Sequence, residues 1–211
     1  MRHEFWANQR RGGALKWMLA GLIATWTGGV SGADLTAALS ADSRAEADRA
    51  RDAGRRPAEV VAFLGIGEGM TVIDLLAAGG YYTEVLSLAV GPEGTVYAQN
   101  PAGMLKFRDG ANDKAMTARL KDNRLANVVR LDAETDATGL QPGSLDAAIT
   151  ALNFHDIYNG AGSEAAVGVL IAVKALLKPG GVIGIIDHAG NASNDNSALH
   201  RIDETLVVEA V

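Results

Sequence analysis

Five short apolar runs recur along the chain, at 71–76, 95–98, 128–131, 145–152 and 182–187. They are near-continuous rather than alternating, which predicts strands covered on both faces, as in a parallel sheet. Helical spacing fills the intervals at about 82–90, 103–122, 163–177 and 197–211. Gly91-Pro92-Glu93-Gly94 and Lys178-Pro179-Gly180-Gly181 read as turns that end a helix and launch a strand. Strand–helix alternation at this spacing predicts one α/β domain with a doubly wound, mostly parallel sheet. Upstream, 34–56 is alanine- and charge-rich with helical spacing. Pro57 interrupts it and suits the first turn of a new helix over 57–64, which Gly65 ends.

The pattern is most informative at 71–84. Val72 and Ile73 lead into an acid, Asp74, then into Ala77, Ala78, Gly79 and Gly80, and a helix pattern follows. Ligands of open α/β sheets bind where a strand's carboxyl end meets a helix N-terminus. Small residues let a ligand approach the backbone, and the helix offers free N–H groups.

Composition narrows the function classes. The chain has 211 residues, 48% hydrophobic and 21% charged, enough for one domain with a substantial core. A net charge of −6 gives no global basic field, so a nucleic-acid partner is not expected. Cysteine is absent, which excludes disulfides, thiolate metal sites and cysteine nucleophiles. Residues 1–33 are laid out as a secretory signal. Arg2, Arg10, Arg11 and Lys16 precede an apolar stretch over 17–26, and small residues at 30–33 suit a cut before Asp34. The apolar stretch falls short of the ~18–20 residues of a spanning helix, so no stable membrane insertion is expected after removal of the signal. The reading is an exported, periplasmic protein, with a cytoplasmic leader as the alternative. Residues 34–56 then form a helical extension before the main domain, 57–211.

The order of the parts resembles the class I S-adenosylmethionine-dependent methyltransferases over 57–211. The resemblance rests on Gly69-Met70-Thr71-Val72-Ile73-Asp74-Leu75, Gly79-Gly80-Tyr81-Tyr82-Thr83, Gly94-Thr95-Val96-Tyr97-Ala98, Asp132-Ala133, 143–148 and 177–182. More narrowly, 55–59, Ala98-Gln99-Asn100, Asn153-Phe154-His155-Asp156, Asp187-His188 and 199–204 look like a bacterial group of methyltransferases known from sequence, several with export signals. The resemblance implies a Rossmann-like methyltransferase fold and S-adenosyl-L-methionine as cofactor. The chain stops at Val211, within the helix after the fifth strand, where these enzymes continue into two more strands. It therefore implies a core lacking the last two strands, with an exposed sheet edge open to self-association.

Residue by residue, the resemblance implies that Asp74, Ala78, Gly79, Gly80, Asn100, Asp132 and Ala133 hold the cofactor. Asp74 would accept from the glycine loop and the cofactor's ammonium, Asn100 would face the ribose, and Asp132 with the Ala133 N–H would face adenine. Asn153, His155 and Asp156 would line the methyl-transfer site, His155 as base and Asp156 orienting it. Each residue also has a plainer reading. Asp74 can cap the next helix, Asn100-Pro101 can open a loop, Asp132 can belong to a solvated acidic loop, and His155 can pack beneath its loop. Tyr81 and Tyr82 read as packing and capping residues. Asp187-His188 shares the same sheet edge, and a His/Asp cluster with His155 and Asp156 is conceivable, but no metal is assigned and His200 has no comparable support.

Two departures matter. The family loop is Asp-x-Gly-x-Gly-x-Gly, and Leu76 and Ala78 replace the first two glycines. Asn100 stands where an acid is usual. The leading reading is a methyltransferase acting on a small-molecule acceptor. The alternative is a non-catalytic ligand-binding or interaction protein on the same fold. A nicotinamide oxidoreductase lacks its Gly-x-Gly-x-x-Gly, and a hydrolase its Gly-x-Ser-x-Gly.

Overall fold

The structure is a computed structural model that describes residues 32–211; the expected leader lies outside the described residues except at its last two positions. The first elements are helices α1 (Gly32–Leu39), α2 (Glu46–Arg55) and α3 (Pro57–Leu64). The alternating part runs β1 (Thr71–Leu75), α4 (Tyr81–Val90), β2 (Thr95–Gln99), α5 (Ala102–Leu120), β3 (Val128–Leu131) and β4 (Leu145–Ala151). It ends with α6 (Phe154–Ala161), α7 (Ser163–Leu176), β5 (Leu177–Ile186) and α8 (Glu204–Ala210). The five strands form one parallel sheet in the order β3-β2-β1-β4-β5. The order reverses at β1, whose two neighbours are β2 and β4. That seam is the topological switch point, where open α/β sheets hold ligands.

The continuous apolar runs are explained by burial on both faces. Residues 72–75 of β1 are all buried, and Ile73 and Leu75 face α7 through Val173 and Leu176. On the other face Val72, Val96 and Ile149 pack against α1, α3 and α4 through Leu35, Leu39, Val61, Val85 and Leu86. Helix α1 thus shares the core of the main domain, while α2 attaches to it through ion pairs of Asp48 and Asp52. Among the described residues, no helix is long and apolar enough to cross a membrane.

Several elements depart from the sequence pattern. The helix expected over 34–56 is two helices, broken at 40–45 around Asp42 and Ser43. Helix α5 contains non-helical residues from Phe107 to Gly110, with Arg108, Asp109 and Gly110 at positive φ. The helix expected over 197–211 shrinks to α8, because 187–203 loops back and forms an isolated parallel bridge between Ala189 and Ile202. Helix α6 was not anticipated; its buried Phe154 and His155 anchor it beside Ala166 and Ile202. Strand β5 begins at Leu177, and the expected turn at 178–181 is taken up as a register shift against β4 between Leu145 and Ala147.

Candidate functional site

A pocket of about 320 Å³ opens at the carboxyl ends of β1 and β4. From the strand ends and their loops it is lined by Asp74, Leu76, Ala77, Ala78, Gly79, Ala151 and Asn153. Helix α4 adds Tyr81 and Tyr82, α5 adds Asn112, Ala115 and Arg119, and α2 adds Arg51 and Arg55. A cavity of this size lies at the lower end of the range for small-ligand sites.

The loop after β1 keeps left-handed backbone where the family glycines would stand. Leu76 has φ 52° and Ala78 φ 50°, followed by Gly80 at φ 83°. Side chains resist that region by roughly 1–2 kcal/mol per residue, so something must hold the loop. The end of β2 does so. The Gln99 side-chain carbonyl accepts from the Leu76 N–H at 3.0 Å, and the Gln99 amide donates to the Ala133 carbonyl at 2.6 Å. The Asn100 carbonyl accepts from the Ala78 N–H at 2.8 Å, while its amide donates to the Ala78 carbonyl at 3.2 Å. On the β4 side, the Asn153 amide donates to the carbonyls of Leu76 and Ala151. The loop's shape is therefore imposed by three amide side chains from two neighbouring strands. Glycine is needed for a different reason at Gly79 and Gly80, where an added Cβ would lie 3.0 Å from Ala115 and from Met116 and Arg119 of α5.

Asp74 sits under this loop, 2% exposed, and its carboxylate accepts from the Thr83 hydroxyl at 2.6 Å. Burial pushes its pKa up to about 7, against the hydrogen bonds from Thr83 and the positive charge of Arg119, which pull it down. Asp74 thus joins β1 to the first turn of α4 and also lines the pocket. Tyr82 lines it too, and its buried hydroxyl has no hydrogen-bond partner among the described residues. Burial raises the pKa of that phenol to about 12. It is an orphan polar atom of the kind a ligand satisfies.

Helix α2 supplies the positive wall. Guanidinium carbons of Arg55 and Arg51 lie 4.4 and 4.9 Å from the centre of the Tyr81 ring, close enough for cation–π attraction. The Tyr81 hydroxyl donates to Asp52 at 2.6 Å, and Asp52 pairs with the buried Arg44. Arg119 bridges the layers: it donates to the Gly79 carbonyl at 2.8 Å, pairs with Asp48 of α2 at 2.7 Å and also pairs with Glu84 of α4. Burial works against ionisation of Asp48, but hydrogen bonds from Arg119 and Arg51 outweigh it and hold its pKa below the usual carboxylate range. Arg51, Arg55, Arg119 and Gln99 were given no site role from sequence, and Tyr82 was read as a packing residue. The arginines lie in ordinary charged helix faces and gain meaning only when the fold brings them to the pocket.

The sequence-predicted residues divide into three groups. Asp74, Ala78, Gly79 and Asn153 line the pocket, and Gly80 caps α4 beside it. Asn100 has no exposed surface and both atoms of its amide are engaged with Ala78 rather than turned to a ligand. Asp132 lies in a separate open groove, where the Arg130 guanidinium bonds both its oxygens at 2.9 Å, and the Ala133 carbonyl is bonded by Gln99. His155 and Asp156 are absent from the pocket lining, although His155 follows Asn153 by two residues. Instead His155 lies 2.6 Å from Asp187 through Nδ1 and 3.2 Å from Asp156 through Nε2.

The pocket's residues fit one end of S-adenosylmethionine better than the other. Its charged amino-acid end meets a buried carboxyl, an unpartnered phenol and the Arg55 guanidinium, which fit an ammonium and a carboxylate, beside Arg51 and Arg119, which are paired with Asp48 and Glu84. Its nucleoside end meets Asn100 and Asp132 with their polar atoms already bonded within the protein.

Comparison with known proteins supports the fold. No family model and no curated protein sequence matches the chain. Among solved structures, an S-adenosylmethionine-dependent methyltransferase from Aquifex aeolicus is 24% identical, covers 73% of this chain and 78% of its own, and superposes with a TM-score of 0.57. The 4+2 cyclase SpnF superposes with a TM-score of 0.59 at 15% identity, over 81% of this chain and 58% of its own. Phosphoethanolamine N-methyltransferase 1 of Haemonchus contortus, solved with phosphoethanolamine and S-adenosylhomocysteine, gives 0.51 at 14% identity, over 70% of this chain and 27% of its own. The described residues carry the fold of the class I methyltransferases: five parallel strands in the order 3-2-1-4-5 with helices on both faces.

Proposed function

We propose that this chain, built on the class I methyltransferase fold, binds S-adenosylmethionine by its amino-acid end at the β1–β4 seam and transfers a methyl group to a small-molecule acceptor. The observation that carries the reading is the pocket at the switch point, lined by Asp74, the 76–79 loop and Arg51, Arg55 and Arg119. When bound, the cofactor supplies an activated methyl group on a sulfonium centre. Asp74 accepts hydrogen bonds from the ammonium, directly or through water, and gains its charge in doing so. Arg51 and Arg55 take the carboxylate, for which a guanidinium fork is well shaped. The Tyr82 hydroxyl finds its missing partner on the ligand.

For methyl transfer, the residues' task is to hold donor and acceptor close and in line. A general base is required only for an acceptor whose proton has a high pKa. His155 does not line the pocket, so an acceptor that is nucleophilic without prior loss of a proton suits this site better than an alcohol. The acidic surface charge favours a small acceptor over a nucleic acid.

One observation favours a second reading. Asn100 and Asp132 spend their polar atoms on Ala78 and Arg130, which supports a binder of a smaller zwitterion with no turnover. The SpnF likeness shows that this fold also occurs in a protein named as a cyclase, so fold by itself does not choose between the readings. The deciding experiment titrates S-adenosylmethionine, S-adenosylhomocysteine, methionine and adenosine calorimetrically into the full chain, with Asp74→Ala and Arg55→Ala as controls. Saturable micromolar binding of the whole cofactor, lost in both variants, supports the enzyme reading. Equal affinity for methionine and the whole cofactor supports the second reading. No binding of any of the four by a folded sample overturns both.

A further inference from the structure

We infer that His155, Asp156 and His200 form a binding site for a divalent transition-metal ion of the zinc class. None of the three lines the β1–β4 pocket, and the inference stands apart from methyl transfer.

Proton bookkeeping on His155 comes first. A neutral imidazole carries one N–H. Asp187, whose side chain is only 5% exposed, holds this residue twice: one carboxylate oxygen accepts from the His155 backbone N–H at 2.8 Å, and the other lies 2.6 Å from Nδ1. The ring proton therefore belongs on Nδ1, pointing at Asp187. That leaves the Nε2 lone pair facing a second carboxylate, Asp156 Oδ1, at 3.2 Å. A metal ion seated between the ring nitrogen and that carboxylate oxygen would be held by both, with His200 within reach as a third ligand. A metal ion bound through Nε2, with Asp187 fixing the tautomer behind the ring, is the usual arrangement of a ligating histidine.

His200 supplies the third arm. Its Nδ1 lies 3.0 Å from the same Asp156 oxygen, and its ring stands nearly perpendicular to that of His155, at 82°. The chain delivers it by a dedicated excursion. After β5 it loops out and returns through the Ala189–Ile202 bridge, the Asn159 side chain of α6 donates to the Arg201 carbonyl, and His200 takes φ 50°. The three ligand atoms all lie within 4.8 Å of one another. Ligand atoms around a tetrahedral zinc ion, at about 2.0–2.1 Å from the metal, stand roughly 3.3 Å apart. The observed separations of 3.0 and 3.2 Å therefore need only small side-chain adjustments.

Two imidazoles and one carboxylate suit zinc, cobalt or nickel better than magnesium or calcium, which prefer all-oxygen ligands. Side chains of His200 and Asp156 are 72% and 59% exposed, so a fourth position opens to solvent. The site thus has the three-ligand, one-open composition of a zinc centre that takes water or an anionic oxygen.

The full chain, stripped with EDTA, is titrated at neutral pH with zinc ions against a chromophoric chelator, and with cobalt(II) followed by its visible absorption. The expected result is one equivalent bound at micromolar or tighter affinity, with the strong cobalt bands of a four-coordinate site. His200→Ala and Asp156→Ala, both exposed positions, should weaken binding at least tenfold while circular dichroism stays unchanged. Asp187→Asn should weaken it by about 10–100-fold through the orientation of His155. His188→Ala, at a neighbouring exposed histidine, should leave it unchanged. No saturable binding, or binding that survives His200→Ala and Asp156→Ala, overturns the inference and leaves the cluster a set of polar contacts within the protein.

Discussion

Replacing Asp74 by Asn isolates the cost of burying one carboxyl beneath the 76–79 loop. In the folded chain the group has a pKa of about 7, with burial as the largest cause. Its unfolded value is about 3.9. Because the folded pKa is raised, the unfolded chain releases this proton first as pH rises. Stability from this group is therefore whole below about pH 4 and falls until about pH 7, above which the loss is constant. A gap of about three units at ~1.4 kcal/mol each makes the loss on the order of 4 kcal/mol. Asparagine retains an acceptor and a donor for the Thr83 backbone and hydroxyl, and it does not titrate. Urea denaturation of both proteins from pH 4 to 8 should show a stability difference that grows in favour of Asp74→Asn by up to about 4 kcal/mol, levelling off near pH 7.5. Slopes from every other group cancel in the difference. A difference independent of pH would refute the argument, because Asp74 would then titrate alike in both states. The same residue gives the binding reaction a signature: a ligand ammonium that pairs with Asp74 should release close to one proton near pH 6, read from calorimetry in buffers of different ionisation enthalpy.

Other residues carry predictions of different sign. Asp48, whose pKa is lowered in the fold, stabilises above about pH 4 and loses that contribution as pH falls further; the deficit of Asp48→Asn should shrink in acid, seen in melting temperatures at pH 3 and pH 7. Ala78→Gly should cost little or no stability, since relief of the φ 50° backbone offsets the added unfolded-state entropy, whereas Gly80→Ala should cost about 1–3 kcal/mol from strain and contact with Met116 and Arg119. Asn100→Ala strands the N–H and C=O of Ala78 and should lower stability by about 1–3 kcal/mol in chemical denaturation. Phe154→Ala should cost about 3–5 kcal/mol by leaving a cavity under α6.

Much of the sheet was legible in the sequence because burial on both faces writes continuous apolar runs. The start of β1, the acid at its end and the small residues beyond it all follow that rule. The loop's trajectory was not legible from its composition. Leu76 and Ala78 stand where the family has glycines, yet Gln99, Asn100 and Asn153 hold them in a left-handed backbone, and those partners lie at the ends of other strands. Helix α6 escaped notice because its polar residues between Asn153 and Asn159 mask a stripe anchored by Phe154 and His155. The stretch 197–203 looked like the start of a helix, but it belongs to a loop that returns to place Ile202 in the core and His200 beside Asp156. The arginine wall of the pocket is a product of tertiary placement, since nothing local distinguishes Arg51 or Arg55 from solvent-facing helix charges.

The strand order also bears on how the chain assembles. Residues 71–131 provide β1, β2 and β3, which pair with one another in sequence order and are made first during synthesis. Strands β4 and β5 arrive later and dock on the far side of β1. The pocket straddles that late contact, with Asp74 on one half and Asn153 on the other. Ligand competence is therefore among the last properties to appear as the nascent chain matures, and a bound ligand would act as a clasp that slows the parting of the two halves.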